Sequence, residues 1–454
     1  MNEKLPSAAG ATALQERSPV GLFAIETWGC QMNVHDSEKM AGALCRLGYR
    51  PTEDLRQADL ILLNTCAIRE KASHKVYTRL GRLRRLKERN PHLLIGVAGC
   101  VAQLEGEAIF RRAPYVDLVL GPRGLSALPE LLKKARERRS AHLKPLEDSL
   151  TYPFETAVRT HQVKAYVTVM EGCDKRCTFC VVPATRGKEE YRPLQHVLQE
   201  IRFLVEKGYA EVELLGQNVN TYRSGETDFA GLLQAVDAID GIKRIRFTTS
   251  HPLHFDDAII DTMAAGRNIC PSVHLPVQSG SNRILRLMRR GYTRERFLDR
   301  VQRIRSTVPG CTLTTDIIVG FPGEDEEDFQ QTLALLDEVR FERLFSFLFS
   351  PRPRTPAEKL SIGSSLAVRQ ERLARLQARQ QEIQEEIHTG KVGERIPVLV
   401  EGKARTGEGV FVGRSPGNQL VHFPGHEGMV GRILPIEVSS CTPNALYGAV
   451  ARDL

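Results

Sequence analysis

The sequence predicts an α/β chain in three units: an amino-terminal parallel βαβ domain, a central partial (β/α)6 barrel and a small carboxy-terminal β-barrel. Three observations carry this expectation. Short aliphatic runs alternate with helical stretches over residues 21–136, the alternation resumes on a larger scale over 160–350, and from Gly393 it gives way to brief strand-like runs parted by glycines.

A chain of 454 residues is too long for one ordinary core. With 41% hydrophobic and 26% charged residues its composition is that of a soluble globular protein. No run approaches the roughly 18 apolar residues that span a bilayer, so the expectation is a cytoplasmic protein with no membrane attachment. A net charge of +8 suits a polyanionic partner as well as simple solubility. Residues 1–20 lack an apolar signal region and read as a flexible tail.

Within the first domain, taken as 21–137, GLFAIETWG, LILLN, LLIGVAG and VDLVL have strand length and composition. SEKMAGALCRLG and KASHKVYTRLGRLRRLKERN between them have helical periodicity. The charged, proline-containing stretch at 138–158 reads as a linker. In the second domain, 159–389, the strands are AYVTVM, AEVELLG, RIRFTTS, SVHLPVQ, TLTTDIIVG and LFSFLFS, with helices such as QHVLQEIRFLVEKG and EDFQQTLALLDEV. Six such strands suit an open barrel whose active groups gather at the carboxyl ends; a doubly wound sheet would give the same pattern. The helix at 365–388 repeats Leu366, Leu373, Leu376, Ile383 and Ile387 on one face, as a helix packed on its own protein or a short coiled coil would. The third domain, 390–454, contains IPVLVEG, GVFVGR, QLVHF, MVGRILPIEVSS and LYGAV, runs expected to form a small antiparallel barrel of the oligonucleotide-binding kind.

Ten cysteines in a reducing compartment imply chemistry or burial in place of disulfides. EGCDKRCTFCVVP sets Cys173, Cys177 and Cys180 at the end of AYVTVM in a CxxxCxxC spacing. Structural zinc usually takes four protein ligands, whereas a [4Fe-4S] cluster held by three thiolates keeps one iron open to another ligand. Lys175, Arg176 and Arg186 offset negative charge there, and Phe179 shields one side. A second trio is Cys30, Cys66 and Cys100, each just past a strand. Successive parallel strands put these ends on one rim, so the three can converge on a second open cluster, or pack there as ordinary buried thiols. Cys45, Cys270, Cys311 and Cys441 read as packing residues. Candidate nucleotide contacts are Gly216, Gln217 and Asn218 after AEVELL, Thr249 and Ser250 ending the third strand, Gln278 ending the fourth, and Asp316 within TTDIIVGFPGE, each also readable as a loop anchor.

CxxxCxxC with an aromatic before its last cysteine resembles the signature of the radical S-adenosylmethionine enzymes. TWGCQMNVHDSE, LNTCAIREKA, GVAGCVAQ, LLGQNVN, HLPVQSGSNRILRLMRRGYT and DIIVGFPGE extend the resemblance to the methylthiotransferases, whose carboxy-terminal RNA-binding TRAM domain VGRSPGNQLVHF resembles. GCQMN and CAIREKA are most similar to the branch that acts on N6-isopentenyladenosine at position 37 of tRNA. The resemblance implies two [4Fe-4S] clusters, S-adenosylmethionine as cofactor, and the six cysteines as ligands. It implies a reaction in which one S-adenosylmethionine methylates a sulfur at the Cys30, Cys66 and Cys100 site. Another, cleaved at the Cys173, Cys177 and Cys180 site, yields a radical that opens adenine C2 to the sulfur. Expected partners are the tRNA anticodon loop, an electron-donor protein and a sulfur source, with the chain a monomer. Threonylcarbamoyladenosine in tRNA, a ribosomal-protein aspartate, and a zinc-stabilised RNA-binding role are the competing readings. One departure is Arg354, where the family commonly has glycine.

Overall fold

The computed structural model describes residues 2–4, 19–67, 70–145 and 150–451. Its first unit is a parallel sheet ordered Gly21–Trp28, Leu60–Thr65, Leu94–Gly99, Leu118–Leu120 and Ser140–His142. Tyr49–Pro51 also pairs with the first of these strands. The strands are buried on both faces. Phe23, Ile25, Leu60 and Leu62 pack beneath one helical layer, while Ala24, Ile61, Leu63 and Val97 alternate into the other. Two expectations change here. Asn2–Lys4, placed in the tail, forms an antiparallel edge strand on Gly21–Trp28, and Ser140–His142, placed in the linker, completes the other edge. Both are three residues long, too short for alternation to register as a pattern.

The central unit has six parallel strands in chain order: Lys164–Thr168, Glu211–Leu215, Arg244–Thr248, Ser272–His274, Thr312–Val319 and Arg343–Leu348. Two three-stranded sheets meet at an Ile245–Ile269 bridge, making the partial barrel. The helix Leu366–Thr389 covers the last strand, with Leu376 and Ile383 in the main core. Among the described residues, no helix is long and apolar enough to cross a membrane.

The terminal unit is a closed five-stranded barrel. The sequence suggested antiparallel pairing throughout, but Leu420–Pro424 and Ala445–Val450 run parallel, with Val421 opposite Leu446. The strand Ile433–Thr442 lies between them in sequence, and that length of connection is what parallel neighbours require. This barrel docks at the amino-terminal ends of the central strands. Arg246 donates to the Ser415 and Pro416 carbonyls at 2.7 and 2.9 Å, and Thr312 Oγ1 donates to the Gly417 carbonyl at 2.8 Å. The opposite rim of the central barrel carries the site.

Candidate active site

Cys173, Cys177 and Cys180 lie on a loop fastened from several directions. Cys173 N donates to the Gly187 carbonyl at 3.1 Å, and Thr178 N and Oγ1 donate to the Met288 and Leu287 carbonyls at 3.1 and 3.0 Å. Gly172, with φ +83°, passes so close to the Lys188 carbonyl that a Cβ would stand 1.9 Å from its oxygen, so only glycine admits this crossing. Burial pushes the Cys173 thiol up to about 11 and Cys180 up to about 12, so binding a metal there must displace protons. Arg290 Nη1 donates to Cys177 Sγ at 3.3 Å, while its other nitrogens hold the Pro276 carbonyl at 2.8 Å and Tyr292 OH at 2.9 Å. Burial disfavours the guanidinium charge, but Tyr292 and Cys177 outweigh it and keep Arg290 cationic.

The other three cysteines stand on one rim because of strand register. Trp28 and Gly99 lie on either side of Thr65, so Cys30, Cys66 and Cys100 follow three neighbouring strand ends. Cys66 N donates to the Trp28 carbonyl at 2.9 Å. Cys30 caps the helix Gln31–Arg46, and its backbone N donates to Asn33 Oδ1 at 3.3 Å. Asn64, from the neighbouring strand, fixes that turn by donating to the Asn33 carbonyl at 2.7 Å and to Ser37 Oγ at 2.9 Å. Cys100 opens the helix Cys100–Glu105.

The two trios share one seam. Val181, directly after Cys180, packs with Cys100 and with Ala67, directly after Cys66. Arg186, on the short helix Val182–Arg186, crosses the domain boundary to donate to Asp36 Oδ2 at 2.6 Å and to Glu171 Oε1 at 3.4 Å. Burial opposes its charge, yet Asp36, Cys100, Glu171 and Cys30 hold Arg186 well above its usual value, leaving it a fixed cation beside the second trio. Deeper in the seam His35 bonds Thr168 Oγ1 at 2.8 Å and Tyr152 OH at 2.9 Å. Arg159 and Arg192 both pair with Glu200. Burial holds His35 neutral, with Lys39 adding to the effect.

The candidate nucleotide contacts distribute around the same rim. Gln217 Oε1 accepts from Gly172 N at 2.6 Å, tying the strand end at Gly216 to the cysteine loop. Asn218 Nδ2 donates to Glu189 at 3.0 Å, but among the described residues its buried Oδ1 has no hydrogen-bond partner, and neither has the buried Ser250 Oγ. Thr249, directly after its strand, and Gln278, four residues past Ser272–His274 and bridged to Ile317, have φ of +74° and +79°, a backbone strain that collects at functional sites. Asp316 is set apart from these: it lies in mid-strand, facing the lumen beside His274 at 3.6 Å. The sequence puts Arg290 in a basic run, RILRLMRRGYTR, expected to grip phosphates, but Arg290 is buried against Cys177, and the His35 and Arg159 seam had been given no role. MRRGYT and NVHDSE carried the hint, as charged residues inside segments otherwise destined for burial.

The chemistry of these donors fits the groups expected. Among the described residues, no three His, Cys, Asp or Glu side chains gather tightly enough to hold a single ion. A four-iron cluster is a larger body that spreads its thiolates over separate corners. Two thiol trios edged by buried arginines suit such anionic clusters, and the orphaned Asn218 and Ser250 oxygens suit a polar nucleotide.

Comparison with known proteins identifies the class first. Residues 22–121 match the uncharacterized protein family UPF0004, 167–336 the radical SAM superfamily and 390–451 the TRAM domain. A radical S-adenosylmethionine methyltransferase from Kitasatospora setae has the same fold, with a TM-score of 0.55 at 16% identity, over 86% of this chain and 79% of that one. Closer in sequence is a tRNA-2-methylthio-N(6)-dimethylallyladenosine synthase from Syntrophotalea carbinolica, 44% identical over 94% of this chain and 99% of its own. The enzyme of that name from Bordetella parapertussis is 46% identical over 98% and 95%. The chain belongs to this family of tRNA-2-methylthio-N(6)-dimethylallyladenosine synthases.

Proposed function

We propose that this enzyme transfers a methylthio group to C2 of N6-isopentenyladenosine at position 37 of tRNA. The observation that carries the reading is the seam: Val181 and Arg186, both within six residues of Cys180, touch the elements that carry Cys100 and Cys30. Two thiol trios so placed can address one base, as a reaction joining sulfur to carbon requires. Cys173, Cys177 and Cys180 would hold one [4Fe-4S] cluster, and Cys30, Cys66 and Cys100 the other. When bound, these clusters and S-adenosylmethionine supply the radical and the methylated sulfur.

The chain's own residues then bind, orient and exclude. Gly216, Gln217, Asn218, Thr249, Ser250 and Gln278 cradle the nucleotide of S-adenosylmethionine, with Asn218 Oδ1 and Ser250 Oγ free to accept or donate to it. Phe179 and Val181 keep water from the space between the trios. The terminal barrel and the basic runs RLGRLRRLKER, RILRLMRRGYTR (save the buried Arg290) and GKARTGEGVFVGR grip the phosphates of the anticodon arm, and the target base is splayed out of its stack to enter. An electron-donor protein and a sulfur source complete the cycle, and the enzyme works as a monomer in the cytoplasm.

Anaerobic reconstitution should load about eight irons with matching acid-labile sulfide, as two cubanes require. Mass spectrometry of isopentenylated tRNA should then gain one methylthio group at the target adenosine. Cys177→Ala should abolish both 5′-deoxyadenosine release and product, and Cys66→Ala should lose product while still releasing some 5′-deoxyadenosine. Modification of a ribosomal protein in place of tRNA would overturn the substrate, and zinc without labile sulfide would overturn the chemistry.

A further inference from the structure

We infer that the central barrel carries an apolar wall, led by Phe345, that receives the dimethylallyl group on N6 of the target adenosine; this rests on the function proposed above. Phe345 lies on the edge strand Arg343–Leu348, and the two faces of that strand are occupied differently. On the outer face, Leu344 and Leu348 pack against the main core, and Ser346 Oγ accepts from Gln377 Nε2 of the covering helix at 3.1 Å. Alternation therefore turns Arg343, Phe345 and Phe347 into the lumen. There Phe345 remains 39% exposed, a large aromatic left uncovered inside a barrel.

Register supplies its neighbours. Asp316 stands opposite Phe345, and Thr314 stands between Arg343 and His274. The His274 ring meets Phe345 edge-on at 5.9 Å, and its Nδ1 bonds Thr314 Oγ1 at 2.9 Å. One strip of wall thus offers an aromatic face next to an imidazole and a carboxylate. Ile318, two residues along the same face from Asp316, packs in the cluster that includes Phe179, inside the cysteine loop. The strip therefore leads from the cysteine loop, through Ile318 and Asp316, to Phe345.

Dimethylallyladenosine has the matching division of character. Its branched five-carbon group has no hydrogen-bonding atom and must leave water against carbon, while the purine edge needs donors and acceptors. Placing the alkyl group on Phe345 leaves His274 and Asp316 for the base. An adenosine without the alkyl group would leave the aromatic uncovered and gain less from entering. Phe345 is therefore a specificity-determining residue that distinguishes prenylated from unprenylated tRNA.

The test is anaerobic binding of the reconstituted enzyme to two anticodon stem-loops, identical except for the dimethylallyl group. Phe345→Ala should lower the wild-type preference for the prenylated loop about tenfold and leave affinity for the plain loop unchanged. Phe345→Leu should keep most of the preference, and it carries the comparison if the alanine variant cannot be loaded with iron. An unchanged preference, or an equal loss on both loops, overturns the wall. Wild-type methylthiolation of the prenylated loop, measured in the same samples, separates the two claims. If that reaction proceeds and the preference ignores Phe345, only the wall falls; if it does not proceed, the proposed function falls and takes the wall with it.

Discussion

Replacing Arg290 by glutamine should shift the redox potential of the site at Cys177 downward. Arg290 is buried and donates to the thiol sulfur at 3.3 Å. A hydrogen bond to a charged group contributes about 1.5–3 kcal/mol, and a reduced cluster, carrying one more negative charge, gains more from it than an oxidised one. If the two states differ by about 1 kcal/mol in this bond, the one-electron potential falls by about 40 mV when it is lost. Glutamine also surrenders the brace on the Pro276 carbonyl, because the single Tyr292 O–H proton goes to the Val277 carbonyl at 2.9 Å and reaches Pro276 only at 3.3 Å. The associated loss of stability should stay near 2–3 kcal/mol. The assay is an anaerobic titration followed by electron paramagnetic resonance, on samples matched for iron and sulfide, with Arg290→Lys keeping the charge and losing the planar fork. A fully loaded glutamine variant at the wild-type potential would refute the reasoning.

His388 faces an acceptor from each ring nitrogen, Glu342 Oε1 and the Thr442 carbonyl, both at 2.8 Å. Burial opposes its charge and Arg343 adds to that, but Glu342 and Thr442 raise it above 6.5. The stability it lends is thus complete below the unfolded value and lost as pH rises through the raised folded one, so the Tm deficit of His388→Gln should be larger at about pH 6 than at about pH 9; an equal deficit at both would exclude the charged pair. Arg354 holds φ +67°, a left-handed conformation that favours glycine. Arg354→Gly should leave stability within about 1 kcal/mol, since relief of the left-handed strain is offset by the freer unfolded chain, whereas Arg354→Val should cost about 1–2 kcal/mol in chemical denaturation.

Period carried most of the fold into the sequence. The strands around Leu62, Val97 and Ile317 are runs of apolar residues bounded by turns, and their helices repeat at helical spacing, so both could be read locally. Tyr49–Pro51 could not, because three residues define no period. The trio Cys30, Cys66 and Cys100 was legible for a different reason, since each thiol follows a strand and parallel strands bring their ends to one rim, while Cys173, Cys177 and Cys180 needed only their CxxxCxxC spacing. The Arg290–Cys177 bond joins residues 113 apart through the packing of separate loops, which no local pattern encodes. Nor was Asp316 legible as a residue deep in the lumen. It shares a strand with the GFPGE turn, but three residues of β-structure separate it from that turn and place it down in the lumen.

The seam between the first two domains is built from charge where apolar packing would have been simpler. Asp36, Glu38, Glu171 and Glu200 are all buried there, matched by Arg123, Arg159, Arg186 and Arg192. Buried pairs of this kind add little net stability over well-packed hydrophobic residues, because each ion has lost its water. What they add is direction. A guanidinium fork satisfied by two carboxylates tolerates small displacement, and a slipped interface would strand several buried charges at once. An apolar seam could slide by a fraction of a residue at small cost. For two cysteine trios on different domains that the proposed reaction brings to one carbon atom, relative placement matters more than adhesion. Arg186 occupies the point of greatest leverage, since it binds Asp36 of one domain and Glu171 of the other while lying six residues from Cys180.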